Sequence, residues 1–184
     1  MVHQIPAMAT IDILIPFIRS WEGGWSDDPD DEGGATMCGI TLSTFTAWRE
    51  SHGRPAPTKE ELRGISDEEW TDIFRARYWN RLKADQIECQ AVANIAVDWC
   101  WCSGIVAIKT LQRLCGTTVD GKVGPKTISA VNSRNPKWLF AQLLQARTEF
   151  LQELARKKPT RRKYLKGWLR RVNSITYNEL ILNR

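Results

Sequence analysis

The chain has 184 residues, of which 42% are hydrophobic and 26% charged, and this composition excludes an intrinsically disordered chain. One domain is expected, because domains typically hold roughly 100–200 residues. The net charge of +5 is unevenly distributed, since nine basic residues and no acid lie between Arg156 and Arg171, and the rest of the chain carries 17 basic and 21 acidic residues. Such a segment favours a polyanionic partner, either nucleic acid, anionic lipid or an anionic cell wall, although a solvated helix face gives the same pattern.

Apolar residues recur with the helical period along the N-terminal third of the chain, and no alternation typical of a strand stands out. The first predicted helix covers residues 10–21, where Pro16 either kinks the helix or lies in the first turn of a helix that begins late. The Asp- and Gly-rich residues 25–40 predict an ordered loop. A short helix is predicted over Ser43–His52.

Two capping boxes predict the next helix starts, Thr58 with Glu61 and Ser66 with Glu69, and the second helix reaches about Leu82. Residues 88–103 are almost wholly apolar, which is typical of a central core helix. Further helices are predicted over three ranges that Gly and Pro residues delimit: 105–115, 136–157 and about 162–182. The predicted fold class is therefore all-α.

The sequence offers little for cofactor or membrane chemistry. No Walker loop, Rossmann glycine pattern or zinc spacing is present, and the two histidines lie far from the five cysteines, so neither a metal nor an organic cofactor is expected. The longest apolar stretch, Ile11 to Ile18, is too short to span a membrane. The N-terminus lacks the features of a secretory signal, which predicts synthesis in the cytoplasm.

Since no cofactor or metal is expected, catalysis by carboxyl side chains is the chemistry that the sequence favours. Glu22 follows an apolar helix and sits beside Trp21, and such surroundings disfavour the charged form of a carboxyl group, as a general acid for glycosidic bonds requires. The alternative is an exposed acid before a glycine cap. The loop that follows supplies further carboxylates at Asp27, Asp28, Asp30, Asp31 and Glu32.

The string from Glu22 to Thr41, E-G-G-W-x-x-D-P-x-D-x-G-G-x-T-x-x-G-I-T, resembles the N-terminal signature of glycoside hydrolase family 108. This family contains phage and bacterial N-acetylmuramidases, among them endolysins and secretion activators. Later segments are similar to the family's motifs in the same order: Arg77-Tyr78-Trp79, Val97-Asp98 with Ser103-Gly104, Leu111-Gln112, the peptidoglycan-binding-type segment Val119 to Thr127, and Gly167 to Val172.

The resemblance implies a lysozyme-like helical fold that cleaves the β-1,4 bond between N-acetylmuramic acid and N-acetylglucosamine, with Glu22 as the general acid. A comparison with phage lysozymes implies that Asp31 and Thr36 position the attacking water. The residues expected to bind substrate lie within the matching motifs: Trp25, Thr41, Tyr78, Trp79 and Asp98. Asp98 is interpreted as a structural or cleft-floor acid. The helical spacing of Trp99, Trp138 and Trp168 favours core positions for these three residues.

Two departures from the family pattern remove polar groups that could face sugar: Met37-Cys38 replaces an Asn-Tyr pair, and Cys102 replaces an asparagine. A catalytically inactive peptidoglycan-binding module is therefore the alternative function. A nucleic-acid-binding protein is a third hypothesis, although no helix-turn-helix motif supports it.

The division expected is a catalytic region over 10–104 and a peptidoglycan-binding-type region over 105–184, packed as one compact unit. The expected partner is peptidoglycan, with no nucleic acid and no membrane insertion, and the chain is expected to be a monomer. It would reach the wall after release through a holin or a secretion step.

Overall fold

The computed structural model describes residues 8–27 and 34–183. The first helix, α1, spans Ile11–Trp21, and the hydroxyl of Thr10 caps it by accepting a hydrogen bond from the Asp12 amide. Pro16 lies in the interior of α1, so the helix does not begin late. Its buried face packs into the core through Ile11, Leu14, Phe17 and Ile18, and this leaves Glu22 directly after its last residue.

A small antiparallel sheet follows α1, in the order β1 (Trp25–Ser26), β2 (Thr36–Met37) and β3 (Ile40–Thr41). This corrects the prediction of a loop over residues 25–40. Cys38 and Gly39 form the two-residue turn between β2 and β3, with φ angles of +47° and +78°. Two-residue hairpin turns with positive φ at both positions match the natural twist of the flanking strands.

The middle of the chain holds α2 (Leu42–Ser51), α3 (Lys59–Arg63) and α4 (Asp67–Phe74). Both predicted capping boxes form, at the starts of α3 and α4. The backbone after α4 stays helical but widens into a π-helical turn over Arg75–Trp79 and then tightens into 3₁₀ turns over Asn80–Leu82 and Ala84–Gln86.

The remaining helices are α5 (Gln90–Ser103), α6 (Ile105–Cys115), α7 (Pro125–Asn132), α8 (Pro136–Lys157) and α9 (Arg162–Asn173). The last helix is shorter than predicted: it ends at Asn173, and Ile175 then pairs with Leu180 in an isolated antiparallel bridge. Gly-rich residues 116–124 connect α6 to α7.

The central element is α5, in which the ten consecutive residues from Ala91 to Cys100 are all buried. It packs against α6 on one side and α8 on another, and α9 packs on α8. Most of the buried apolar residues form one cluster that includes residues from Ala9 to Ile175. The all-α, lysozyme-like fold class is confirmed. Within the described ranges, no helix is both long and apolar enough to cross a bilayer.

Candidate active site

The carboxyl group of Glu22 lies where three helices that are distant in sequence meet. Its Oε1 accepts a hydrogen bond from Trp101 Nε1 of α5 at 2.7 Å and another from Arg171 Nη1 of α9, also at 2.7 Å. The side chain of Glu22 is 15% exposed. The prediction that apolar groups surround the Glu22 carboxyl group is therefore wrong. A guanidinium group and an indole N–H hold it instead.

The hairpin between β2 and β3 approaches Glu22 so closely that only glycine fits at its turn. A Cβ atom on Gly39 would lie 2.4 Å from Cζ2 of Trp101 and 2.6 Å from Oε2 of Glu22, distances that real Cβ atoms do not adopt. Its φ of +78° also favours glycine. Gly39 therefore lets the hairpin cover one side of the carboxyl group.

A buried ion-pair network fixes Arg171 on its other side. Asp98 of α5 is completely buried, and its Oδ1 accepts hydrogen bonds from Nε and Nη2 of Arg171 at 3.1 and 2.7 Å. Its Oδ2 lies 2.6 Å from Nη1 of Arg147 in α8. Burial alone would raise the pKa of Asp98, but the two guanidinium groups outweigh it and hold that pKa below its ordinary value.

Arg171 is consequently a fixed cation between two carboxyl groups. Burial opposes its charge, yet Asp98 and the surrounding groups raise the pKa of Arg171 above its ordinary value. A second, uncompensated buried charge would be costly, and the pairing of Arg147 with Asp98 avoids it.

Glu22 lines a cleft of about 450 Å³, a volume typical of small-molecule sites. The C-terminal end of α5 and the hairpin form one wall, and α8 and α9 form the other. The remaining lining residues are Gly39, Trp101, Cys102, Ser103, Arg147, Leu151, Leu154, Arg161, Trp168 and Arg171.

Aromatic side chains hold Trp101 in the wall of this cleft. Tyr78 and Phe74 pack against its indole with ring centroids 4.7 and 5.4 Å away, and Trp70 lies at 5.8 Å. Trp70 also donates a hydrogen bond from Nε1 to the carbonyl oxygen of Cys38 at 2.9 Å, which ties the hairpin to the same cluster. The cluster therefore fixes Trp101, which donates a hydrogen bond to Glu22, and the hairpin, whose Gly39 lies against the same carboxyl group.

Cys102 lines the cleft as an exposed residue, with its thiol in a partly buried contact. Its Sγ accepts a hydrogen bond from Nη2 of Arg147 at 3.4 Å. Burial raises the pKa of the Cys102 thiol to about 11, so this group is neutral at physiological pH.

Two family models and a solved structure match this chain. A family model described as "Glycosyl hydrolase 108" matches residues 15–104, and one described as "Predicted Peptidoglycan domain" matches residues 106–173. The solved structure titled "Structure of Brucella abortus SagA" has a TM-score of 0.75 and 35% sequence identity over 92% of this chain and 93% of that chain.

The chain belongs to the glycosyl hydrolase 108 family. It is a glycoside hydrolase that acts on peptidoglycan. The comparison with curated proteins found no match. The two family models meet beside Gly104, and the cleft takes residues from both matched ranges.

The catalytic residues predicted for this glycosyl hydrolase 108 chain do not all lie together. Of the two that the structure describes, Glu22 lines the cleft and Thr36 does not. The hydroxyl of Thr36 donates a hydrogen bond to the carbonyl oxygen of Gly34 at 3.0 Å, within the sheet. Asp31 lies outside the described residues.

Thr41 and Asp98, the two non-aromatic residues predicted to bind substrate, contact other protein groups that stabilise the fold. Thr41 caps α2 by accepting a hydrogen bond from the Thr44 amide. Asp98 lies behind Arg171 with no exposed surface, so it supports the site and cannot contact a sugar directly.

The three aromatic residues predicted to bind substrate are half-buried or buried. Trp25 is half-buried in β1 with the guanidinium of Arg63 over its ring, and Tyr78 is half-buried behind Trp101. Trp79 is only 1% exposed, so the expectation that it stacks on sugar is wrong.

The expectation of a core position holds for Trp99 but is wrong for the other two tryptophans. Trp99 is buried. Trp138 is 44% exposed at the start of α8, and Trp168 lines the cleft.

Sequence analysis missed Trp101, Arg147 and Arg171 as site residues. One signal was present: Asp98 and Trp101 are three residues apart on one face of an apolar helix, and a buried carboxylate requires a cation. The sequence does not show which of the many arginines supplies it.

Proposed function

We propose that this chain is an N-acetylmuramidase that cleaves the β-1,4 bond between N-acetylmuramic acid and N-acetylglucosamine, with Glu22 as the general acid. The observation that carries the proposal is the placement of the Glu22 carboxyl group in the cleft, with Oε1 held by Trp101 and Arg171. Among the described residues, no side chain or backbone amide donates a hydrogen bond to Oε2, so that oxygen can carry the proton.

The two donors orient the carboxyl group and take part in the proton transfer. As the proton leaves Oε2 for the glycosidic oxygen, negative charge develops on the carboxyl group of Glu22. The guanidinium of Arg171, 2.7 Å from Oε1, stabilises this charge without reorganising, because Asp98 already holds it in place. The contact strengthens as the reaction proceeds, which is the condition for lowering the barrier.

We also propose that Asp31 and Thr36 position the attacking water, which would make the reaction a single displacement with inversion. The interval from Glu22 to Asp31 matches the phage lysozyme pattern and supports this role, whereas Thr36 comes one residue earlier than in that pattern. The basic segment over 156–171 would hold the enzyme on an anionic wall, since most of its side chains are exposed.

The experiment is digestion of purified peptidoglycan by the natural chain, by Glu22→Gln and by the control Glu50→Gln, which changes an exposed glutamate in α2. We expect fragments with hydrated muramic acid at the reducing end from the natural chain and the control, and none from Glu22→Gln. Mass spectrometry identifies the ends.

Other ends would contradict the muramidase assignment. Anhydro-muramic ends would indicate a lytic transglycosylase, and glucosamine ends a glucosaminidase. Binding to the wall without fragments from any of the three proteins would favour the inactive binding module, for which Cys102 in the cleft is the supporting observation.

A further inference from the structure

A continuous stripe of two arginines and two aromatic residues runs along one face of α9, with its first arginine, Arg161, in the 3₁₀ turn (Pro159–Arg161) directly before the helix. Arg161, Tyr164, Trp168 and Arg171 follow one another at intervals of three or four residues, which places them on the same side of a helix. Arg171 contacts Glu22, and Arg161 and Trp168 line the cleft. The stripe therefore begins at the candidate general acid and leads away from it.

The two aromatic rings of the stripe are stacked, with Tyr164 exposed and Trp168 half-buried. The ring centroids of Tyr164 and Trp168 are 6.0 Å apart with an interplanar angle of 29°, and Tyr164 is 50% exposed. Because four residues of a helix rise about 6 Å, the pair forms a platform one helical turn long. Trp168 connects this platform to the cleft.

We propose that the α9 stripe, Arg161 to Arg171, is a glycan-binding track that extends the catalytic cleft and holds saccharide units of the peptidoglycan strand beyond those at Glu22. The proposal rests on the proposed function, since the track is continuous with that site. It assigns substrate binding to the range 106–173 through α9, which forms one wall of the cleft.

The chemistry of the stripe matches this ligand. Aromatic rings contact the apolar faces of sugar rings, and the platform places an exposed tyrosine and a half-buried tryptophan in succession. The stem peptides of peptidoglycan carry carboxylates, and no acidic residue lies between Arg156 and Arg171 to repel them. Lys163 lies 4.9 Å from the ring centroid of Tyr164 and adds positive charge beside the platform.

Trp138 provides a control, because it is an exposed tryptophan in the same half of the chain. It lies at the N-terminal end of α8, is 44% exposed, and has Arg134 over its ring. It is absent from the lining of the cleft. Trp138→Ala therefore removes an aromatic face and a neighbouring cation contact away from the track.

The test compares Tyr164→Ala, Trp168→Phe and Trp138→Ala on muropeptide oligomers of two and of four disaccharide repeats. We expect Tyr164→Ala to lower kcat/KM about tenfold on the longer oligomer and to change it little on the shorter one. Trp168→Phe should keep part of the activity, and Trp138→Ala should match the natural chain on both. Equal effects of Tyr164→Ala on both lengths, or no effect on either, would overturn the track.

A binding measurement separates this proposal from the proposed function. Titration calorimetry of the longer oligomer into Glu22→Gln, with and without Tyr164→Ala, reports the track whether or not the chain cleaves. We expect about tenfold weaker binding when the tyrosine is removed. Unchanged binding would overturn the track even if the natural chain proves to be a muramidase, and weaker binding would support it even if no bond is cleaved.

The charged end of the stripe has its own test in the same background. Arg161→Gln should weaken binding of the muropeptide oligomer several-fold and leave binding of an uncharged N-acetylglucosamine oligomer unchanged. An equal loss for both ligands would contradict recognition of carboxylates by the track.

Discussion

Gly39 shows how little space surrounds the carboxyl group of Glu22. In Gly39→Ala, the new methyl group would collide with Trp101 and with Oε2 of Glu22, so the hairpin or the carboxyl group must move. We expect the rate of peptidoglycan digestion to fall by at least tenfold. The unfolding free energy should also fall by more than the roughly 1–2 kcal/mol that a left-handed backbone costs alanine.

Gly53→Ala is the matched control for this change. Gly53 has a φ of +68°, but a Cβ atom there meets no heavy atom within 4 Å. The control should show the backbone cost without a loss of activity. Similar losses of activity in the two variants would mean that the close approach of Gly39 to Glu22 has no catalytic consequence.

Asp98 is the residue on which the buried charges depend. Asp98→Asn keeps the shape but leaves the guanidinium groups of Arg147 and Arg171 without a buried anion, and breaking such a pair costs about 3–5 kcal/mol. We expect a loss of this size in chemical denaturation at pH 7. Asp67→Asn, which removes the exposed partner of Arg19, should have a far smaller effect because solvent screens that pair.

The same variant predicts a pH dependence of stability. The pKa of Asp98 is lower in the folded chain than in the unfolded one, where it is about 3.9, so its ionised form stabilises the fold above that pH. The stability difference between the natural chain and Asp98→Asn should stay constant from pH 7 to about pH 5. It should shrink as the pH falls through the folded-state value, and a constant difference down to pH 2 would contradict the network.

Single residues of the site were predictable only where local sequence determines them. Glu22 was found because it ends an apolar helix inside a dense motif. Its partners Trp101 and Arg171 are 79 and 149 residues away in sequence, and no local pattern fixes such contacts. Trp138 and Trp168 show the same difficulty, because their helical spacing does not reveal which side of α8 or α9 the core covers.

At the scale of elements, local sequence patterns predicted the helices well and the strands poorly. The capping boxes of α3 and α4 were predictable because a cap involves only neighbouring residues. Strands of two residues have no period to detect, so β1 to β3 were missed. The end of α9 at Asn173 was missed because apolar residues such as Ile175 and Leu182 continue the helical pattern beyond it.

Gln112 of α6 organises the turn that precedes α7. Its buried amide donates hydrogen bonds to Asp120 Oδ1 and to the Lys122 carbonyl oxygen at 2.8 and 3.0 Å, and its Oε1 accepts one from the Gly121 amide at 2.8 Å. Gln112→Ala should cost about 1–3 kcal/mol of unfolding free energy, since buried groups lose their partners. Gln145→Ala, on the exposed face of α8, should cost much less in the same urea titration. Equal losses would mean that these bonds do not support the turn.

The basic segment over 156–171 makes a prediction that depends on salt. Changing Lys158, Lys163 and Lys166 to glutamine should weaken sedimentation with purified walls in low salt and matter little at high salt, because exposed charges are screened. Three other exposed lysines, Lys122, Lys126 and Lys137, give a control with the same change in net charge. Equal weakening at low and high salt, or equal weakening in the control, would contradict a local electrostatic role.

For the whole molecule, the two matched ranges share one core and one site. The buried cluster includes residues from α1 to Ile175, and α5 is covered by α6 and α8. Glu22 comes from the first range, and Arg171, which holds it, comes from the second. Chain regions that share a core are expected to unfold together.

This sharing predicts that the region ending at Gly104 is inactive on its own. Without α6, α8 and α9, the apolar surface of α5 is exposed, and Asp98 loses both guanidinium partners. The fragment should release no peptidoglycan fragments and should unfold without a cooperative transition in circular dichroism. Co-expression with residues 105–184 should restore both properties, because the missing helices can pack again on α5. A fragment that unfolds cooperatively and digests peptidoglycan at the rate of the full chain would show instead that the first range is an autonomous enzyme and that Arg171 is dispensable.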